Sequence, residues 1–122
     1  MIRHLTGDPP DLARRATELL SSGRRLLLPD LIVAEALFVL ESFYELDRPR
    51  LVALIRSALA HPSLRVIDLP TLLRSLEIYE VHRIDYAEAY LVAQAEATGV
   101  GVVASFDRSI DRVKTVRRIE SA

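Results

Sequence analysis

Cysteine is missing altogether, which rules out disulfides and thiolate metal sites and argues against a structural zinc site. Lys114 is the only lysine, so the positive charge is almost all arginine, whose forked guanidinium suits phosphate and carboxylate alike. The charges nearly cancel, to a formal net of -1, so no global field draws the chain to nucleic acid. Long apolar runs are also missing. The longest, LIVAEALFVL, is too short to span a membrane and carries Glu35. The opening MIRHLTGDPP lacks the apolar core of a signal peptide. A soluble, cytoplasmic protein with no membrane partner is the expectation.

What is present is a core. Half of the 122 residues are hydrophobic, enough for one folded domain spanning residues 1–122 and against disorder. GDPPDLARRATELLSSG reads as a helix capped by Asp8, with Pro9 at its first position, Gly23 at its exit and an apolar stripe of Leu12, Ala16, Leu19 and Leu20. RRLLL reads as a buried strand. PDLIVAEALFVLESFYEL is a helix apolar nearly all round, expected in the middle of the protein. A third helix follows, capped by Asp47 and stopped near Pro62, and then the strand LRVIDL. TLLRSLEIYEVHR is a fourth helix and DYAEAYLVAQAEATG a fifth, with Ala89, Val92, Ala93 and Ala97 facing inward and Gly99 ending it. VGVVAS is a third strand, with TVRRI as a last edge strand. Helices alternating with strands predict an α/β fold with a central parallel sheet covered on both faces, where ligands sit beyond the carboxyl ends of the strands.

Acids collect near those ends. Glu35 sits in an apolar helix, where a carboxylate needs a partner arginine, an exposed window or a ligand. Asp85 and Glu88 precede an apolar run as a capping box would, although a capping carboxylate can also coordinate. Asp107 follows a buried strand, either as a cap for DRSIDRV or as a ligand; Asp68 follows LRVI and reads as a strand-to-helix turn. Glu35, Glu88 and Asp107 come from separate elements. Gathered at one end of a sheet they would repel one another unless they shared a cation. Hard oxygen donors without thiolates favour Mg²⁺ or Mn²⁺, an ion able to activate water against a phosphodiester. His4, His61 and His82 lack metal-ligand spacing, no glycine-rich phosphate loop or G-x-S-x-G elbow occurs, and Tyr79, Tyr86 and Tyr90 read as packing. A receiver-like signalling domain with Asp68 as phosphoacceptor is a weaker alternative, since its acidic pair is missing and Lys114 is poorly placed.

Four segments carry a resemblance over almost the whole chain: IRHLTGDPPDLARRA, LLLPDLIVAEALFVL, IDYAEAYLVAQAEATG and GVVASFDRSI. Together they resemble the PIN domain, specifically its VapC-like toxin branch. The resemblance implies a three-layer α/β/α fold and a metal-dependent ribonuclease, the toxin of a type II toxin-antitoxin system. Glu35, Glu88 and Asp107 match the catalytic and metal-binding acids, with Asp85 an additional, more variable metal ligand. Glu88 stands where the family has aspartate, and Ser105 where threonine is usual. Arg83 and Arg108 are candidate grips for RNA phosphates. The resemblance further implies Mg²⁺ or Mn²⁺, an antitoxin partner and a homodimer, for which Phe38, Phe43 and Tyr44 offer apolar surface. It departs from the family at the front, where a strand ending in Asp-Thr-Asn or similar is missing, leaving a gap between the Leu26–Leu28 and Val100–Ser105 strands. That implies either a natural chain extended upstream of Met1 or an inactive truncated member keeping only antitoxin binding and dimerisation. The form starting at Met1 is expected to have weak or no nuclease activity.

Overall fold

The computed structural model describes residues 22–44 and 46–120. The first helix expected from the sequence lies outside these, apart from Ser22 and Gly23. The chain divides into two compact units, Met1–Ile67 and Asp68–Ala122. All four helices expected within the described residues are present, and the strands pair in parallel, giving the mixed α/β class read from the sequence. The described strands form two two-stranded sheets, one in each unit.

In the first unit, β1 (Leu26–Leu27) leads into α1 (Asp30–Phe43) and α2 (Arg48–Leu59) before β2 (Leu64–Arg65). The two strands run parallel, with Leu26 opposite Leu64 and Leu27 opposite Arg65, so the helices form the crossover that parallel pairing requires. Asp47 caps α2 as its sequence position predicts: its Oδ1 accepts from the Arg50 amide at 3.1 Å. Val33, Ala36, Leu37 and Leu40 of α1 pack in the core with Leu51, Val52 and Ile55 of α2. The expectation that α1 is buried all round is corrected. Leu31 and Phe38 are 70% and 68% exposed, with Glu35 between them on the same exposed stripe. The apolar composition of α1 exceeds what one packed face can cover.

In the second unit, α3 (Leu69–Val81) and α4 (Tyr86–Thr98) form a helical hairpin. Asp68 makes the expected strand-to-helix turn by capping α3, its carboxylate accepting from the Thr71 amide at 3.1 Å and hydroxyl at 2.7 Å. Those two bonds, the hydroxyl one first, hold its carboxyl below the usual range. Tyr79 and Tyr86 pack edge to face inside the hairpin, as read from their spacing. Ser75 Oγ bonds both the Leu72 carbonyl and the Tyr86 hydroxyl, so this buried polar pair is satisfied. Ala89, Val92 and Ala93 face inward as expected, but Ala97 is exposed and Ala95 is buried. Glu96 is half-buried. It is held there by Arg74, which donates to it from Nε at 2.7 Å and Nη2 at 2.9 Å while also pairing with Glu77.

Gly99 ends α4 with φ 76°, a left-handed conformation that glycine adopts without steric cost. The chain then enters β3 (Val102–Ala104), passes through the 3-10 helix Arg108–Arg112, and returns as β4 (Arg117–Ile119), parallel to β3. The edge strand expected from TVRRI is therefore present.

Candidate functional site

The carboxyl end of β3 is where two of the sequence-predicted acids come together. Glu88 lies in the first turn of α4, where unpaired helix amides favour a negative charge. Ser105 stands just beyond β3, and its Oγ donates to Glu88 Oε2 at 3.1 Å. The same oxygen accepts from the Asp107 amide at 3.0 Å. One hydroxyl thus ties the acid of α4 to the loop that carries Asp107.

Ser105 is itself fixed by β4. Its amide donates to the Ile119 carbonyl at 3.0 Å, and its carbonyl accepts from Arg118 Nη1 at 3.1 Å. Arg118, with its side chain only 11% exposed, also makes a two-pronged pair with Asp111 and contacts Glu120 at 2.7 Å. The placement of Ser105 therefore depends on a residue that the sequence pattern assigns only to an edge strand. An arginine in a strand carries no local signal of this role, because its partners are set by the return of the chain.

Asp107 acts as a cap, one of the two roles its position suggests. Its Oδ1 accepts from the Ser109 amide at 2.9 Å and hydroxyl at 2.6 Å at the start of the 3-10 helix. The Ser109 hydroxyl, then its amide, hold the Asp107 carboxyl below the usual range, and the charges of Arg112 and Arg118 add to this. The cap engages one oxygen, so Oδ2 remains open among the described residues.

Asp85 precedes α4 with extended backbone but makes no side-chain capping bond, and Glu88 bonds Ser105. The capping-box reading of this pair is corrected: Glu88 reaches forward to the strand loop. Asp85 is exposed. Glu35 belongs to the other unit, exposed on α1 and with no arginine partner among the described residues. Arg83 is exposed and has a left-handed backbone, φ 56°; its carbonyl accepts from Arg112 Nη1 at 2.9 Å. Arg108 has a side chain 84% exposed and reaches only a 3.8 Å contact with Glu120.

The cation implied by the resemblance can be tested against this donor set. Carboxylates beside a hydroxyl suit a hard divalent ion, and Glu88 and Asp107 each keep an oxygen that no other described residue engages. Among the described residues, no three His, Cys, Asp or Glu side chains form a group that could hold a metal. The fit is one of donor chemistry, and within the second unit it extends to a pair of acids.

Also among the described residues, no helix is long and apolar enough to cross a membrane. Comparison with curated proteins and with solved structures found no match. The family model of the PIN domain matches residues 1–116, nearly the whole sequence, and the chain belongs to the PIN domain family.

Proposed function

We propose that the protein is a metal-dependent endoribonuclease acting as the toxin of a toxin-antitoxin pair, in the manner of the VapC-like branch. PIN domains are typically metal-dependent nucleases, and membership supports the general chemistry. The observation carrying the reading to particular residues is the Ser105 hydroxyl, which links Glu88 to the Asp107 amide beyond β3. Two acidic residues linked at a strand's carboxyl end, Glu88 by its carboxylate and Asp107 by its amide, match the usual position of sites in α/β proteins.

In this proposal Glu88 and Asp107 hold Mg²⁺ or Mn²⁺, with Asp85 in support. Glu35 is a further ligand on the resemblance alone. The ion, when bound, supplies an activated water and charge stabilisation for attack on a phosphodiester. Ser105 keeps Glu88 oriented, and Ser109 keeps Asp107 ionised and in one rotamer. Arg83 and Arg108 bind RNA phosphates. The protein is cytoplasmic and dimeric. The exposure of Phe38 (68%), Phe43 (74%) and Tyr44 (41%) supports an apolar interface for a second copy or the antitoxin.

The test is RNA cleavage with Mg²⁺ or Mn²⁺. Glu88→Gln, Asp107→Asn and Glu35→Gln should each lose at least about 100-fold in rate, on the order of 2.7 kcal/mol of transition-state stabilisation. Full activity in any of the three removes that residue from the site. Full activity in both Glu88→Gln and Asp107→Asn defeats the proposal.

A second reading is a catalytically inactive member that keeps only partner binding and dimerisation; within the second unit the Ser105 hydroxyl links only Glu88 and the Asp107 loop. Thermal unfolding against Mn²⁺ separates the two, because an ion bound to the folded state raises the melting temperature by mass action. No shift at millimolar Mn²⁺ supports the inactive reading.

A further inference from the structure

We propose that the first unit carries a phosphate-binding site at the amino edge of its sheet, which grips the backbone of single-stranded RNA without reading its bases. A cavity of about 400 Å³, within the size range of small-ligand sites, is lined by Gly23, Arg24, Arg25, His61, Ser63 and Arg65, with Pro62 beside them. Arg24 and Arg25 lead directly into β1, and His61 and Ser63 precede β2. Because β1 and β2 are parallel, both lead-ins arrive at the same edge of the sheet, opposite the end from which the chain enters α1 and Glu35.

Three arginines line one cavity in a protein whose charges nearly cancel overall. Like charges brought together repel, and the arrangement is relieved by an anion. Among the described residues no carboxylate lines the cavity, and neither Arg24 nor Arg25 has an acidic partner. Arg65 uses Nη1 on the carbonyls of Pro62 and Leu64, which fixes its fork and leaves its other donors open. His61 accepts from the Ser63 amide at Nδ1 over 3.1 Å, so Nε2 is the ring's donor. Arginine donors with no carboxylate beside them match phosphate oxygens. The described lining has no phenylalanine, tyrosine or tryptophan, and its polar side chains are three arginines, a serine and one imidazole, a set weighted toward the sugar-phosphate chain over a free nucleobase. The choice of RNA as the source of that phosphate rests on the nuclease reading above; the cavity's anion chemistry does not.

The experiment is fluorescence anisotropy with a labelled single-stranded oligoribonucleotide in EDTA, which reads binding without cleavage. The chain with both Arg24→Gln and Arg25→Gln is compared with the native protein. A matched control carries Arg50→Gln and Arg56→Gln, which remove equal charge from α2, with circular dichroism confirming that each variant is folded. The cavity variant should bind at least about tenfold more weakly, and its plot of log K against log salt should be shallower by about 0.7 for each phosphate it no longer neutralises. The control should change less than about twofold. A third chain with Arg24→Lys and Arg25→Lys, which keeps the charge, should keep the native salt dependence. Equal weakening in cavity variant and control, or native affinity in the cavity variant, overturns the proposal. Inorganic phosphate tests the other source of the same chemistry. If it stabilises the native chain but not the cavity variant while RNA affinity is the same in both, the site takes free phosphate and the RNA assignment falls. A chain that binds RNA through Arg24 and Arg25 yet never cleaves it with Mg²⁺ or Mn²⁺ sinks the nuclease reading and leaves this one standing.

Discussion

Ser105 is a single hydroxyl with two opposite duties, donating to Glu88 and accepting from the Asp107 amide. A hydrogen bond to a charged group is worth about 1.5–3 kcal/mol. If the orientation of Glu88 matters for cleavage, Ser105→Ala should lower the metal-dependent rate by at least about tenfold. Ser105→Thr, which keeps the hydroxyl, should retain most of it. Equal loss in both variants would show that packing around Ser105, and not its oxygen, is what matters. The acids themselves are legible in the sequence because carboxylates beside apolar elements stand out. Their partners are not: Asp85-x-x-Glu88 has the pattern of a capping box, yet Glu88 bonds a serine far along the chain. Local pattern identifies which groups need a partner, and the fold decides which partner arrives first.

Capping governs how the elements begin. Asp47 and Asp68 each accept an amide three residues on, as their places before apolar runs predict. Asp47→Ala should destabilise the protein by about 1 kcal/mol and Asp47→Asn much less, read as a shift in the midpoint of urea unfolding. The strands are legible as short apolar runs next to turn residues, and the last, TVRRI, forms where the sequence puts it despite two arginines. Burial around the helices is less legible. Ala97, expected inside, is exposed, and Glu96 is half-buried, where its pairing with Arg74 of α3 makes a carboxylate acceptable. For α1, composition indicates burial on every side, and the packed face accounts for Val33, Ala36, Leu37 and Leu40 only.

Across the whole molecule, several carboxylates are held in ionised form by their surroundings. Arg74, then the Thr115 hydroxyl, lowers Glu96, against the cost of burial; Arg118 lowers Asp111; Ser109 lowers Asp107; and Thr71 lowers Asp68. A carboxyl whose folded pKa lies below its unfolded value stabilises the fold fully above the unfolded value, about 4, and loses that contribution as pH falls through the folded one. The melting temperature, measured at constant ionic strength, should therefore hold steady with respect to these groups down to about pH 5 and fall progressively below about pH 4. Ser109→Ala should make that fall shallower by returning Asp107 toward its ordinary range. A melting temperature that rises on acidification from pH 5 to pH 3 would contradict these assignments. The α/β class, the order of helices and strands over the described residues and the candidate acids followed from the sequence alone, because periodicity, capping residues and apolar strand composition are local properties of the chain. Tertiary structure alone decided that Ser105 joins Glu88 to Asp107, that Arg118 holds Ser105, and that arginines before β1 meet the lead-in to β2 around one cavity. Each of these needs a contact between residues distant in sequence, and no local pattern encodes such a meeting.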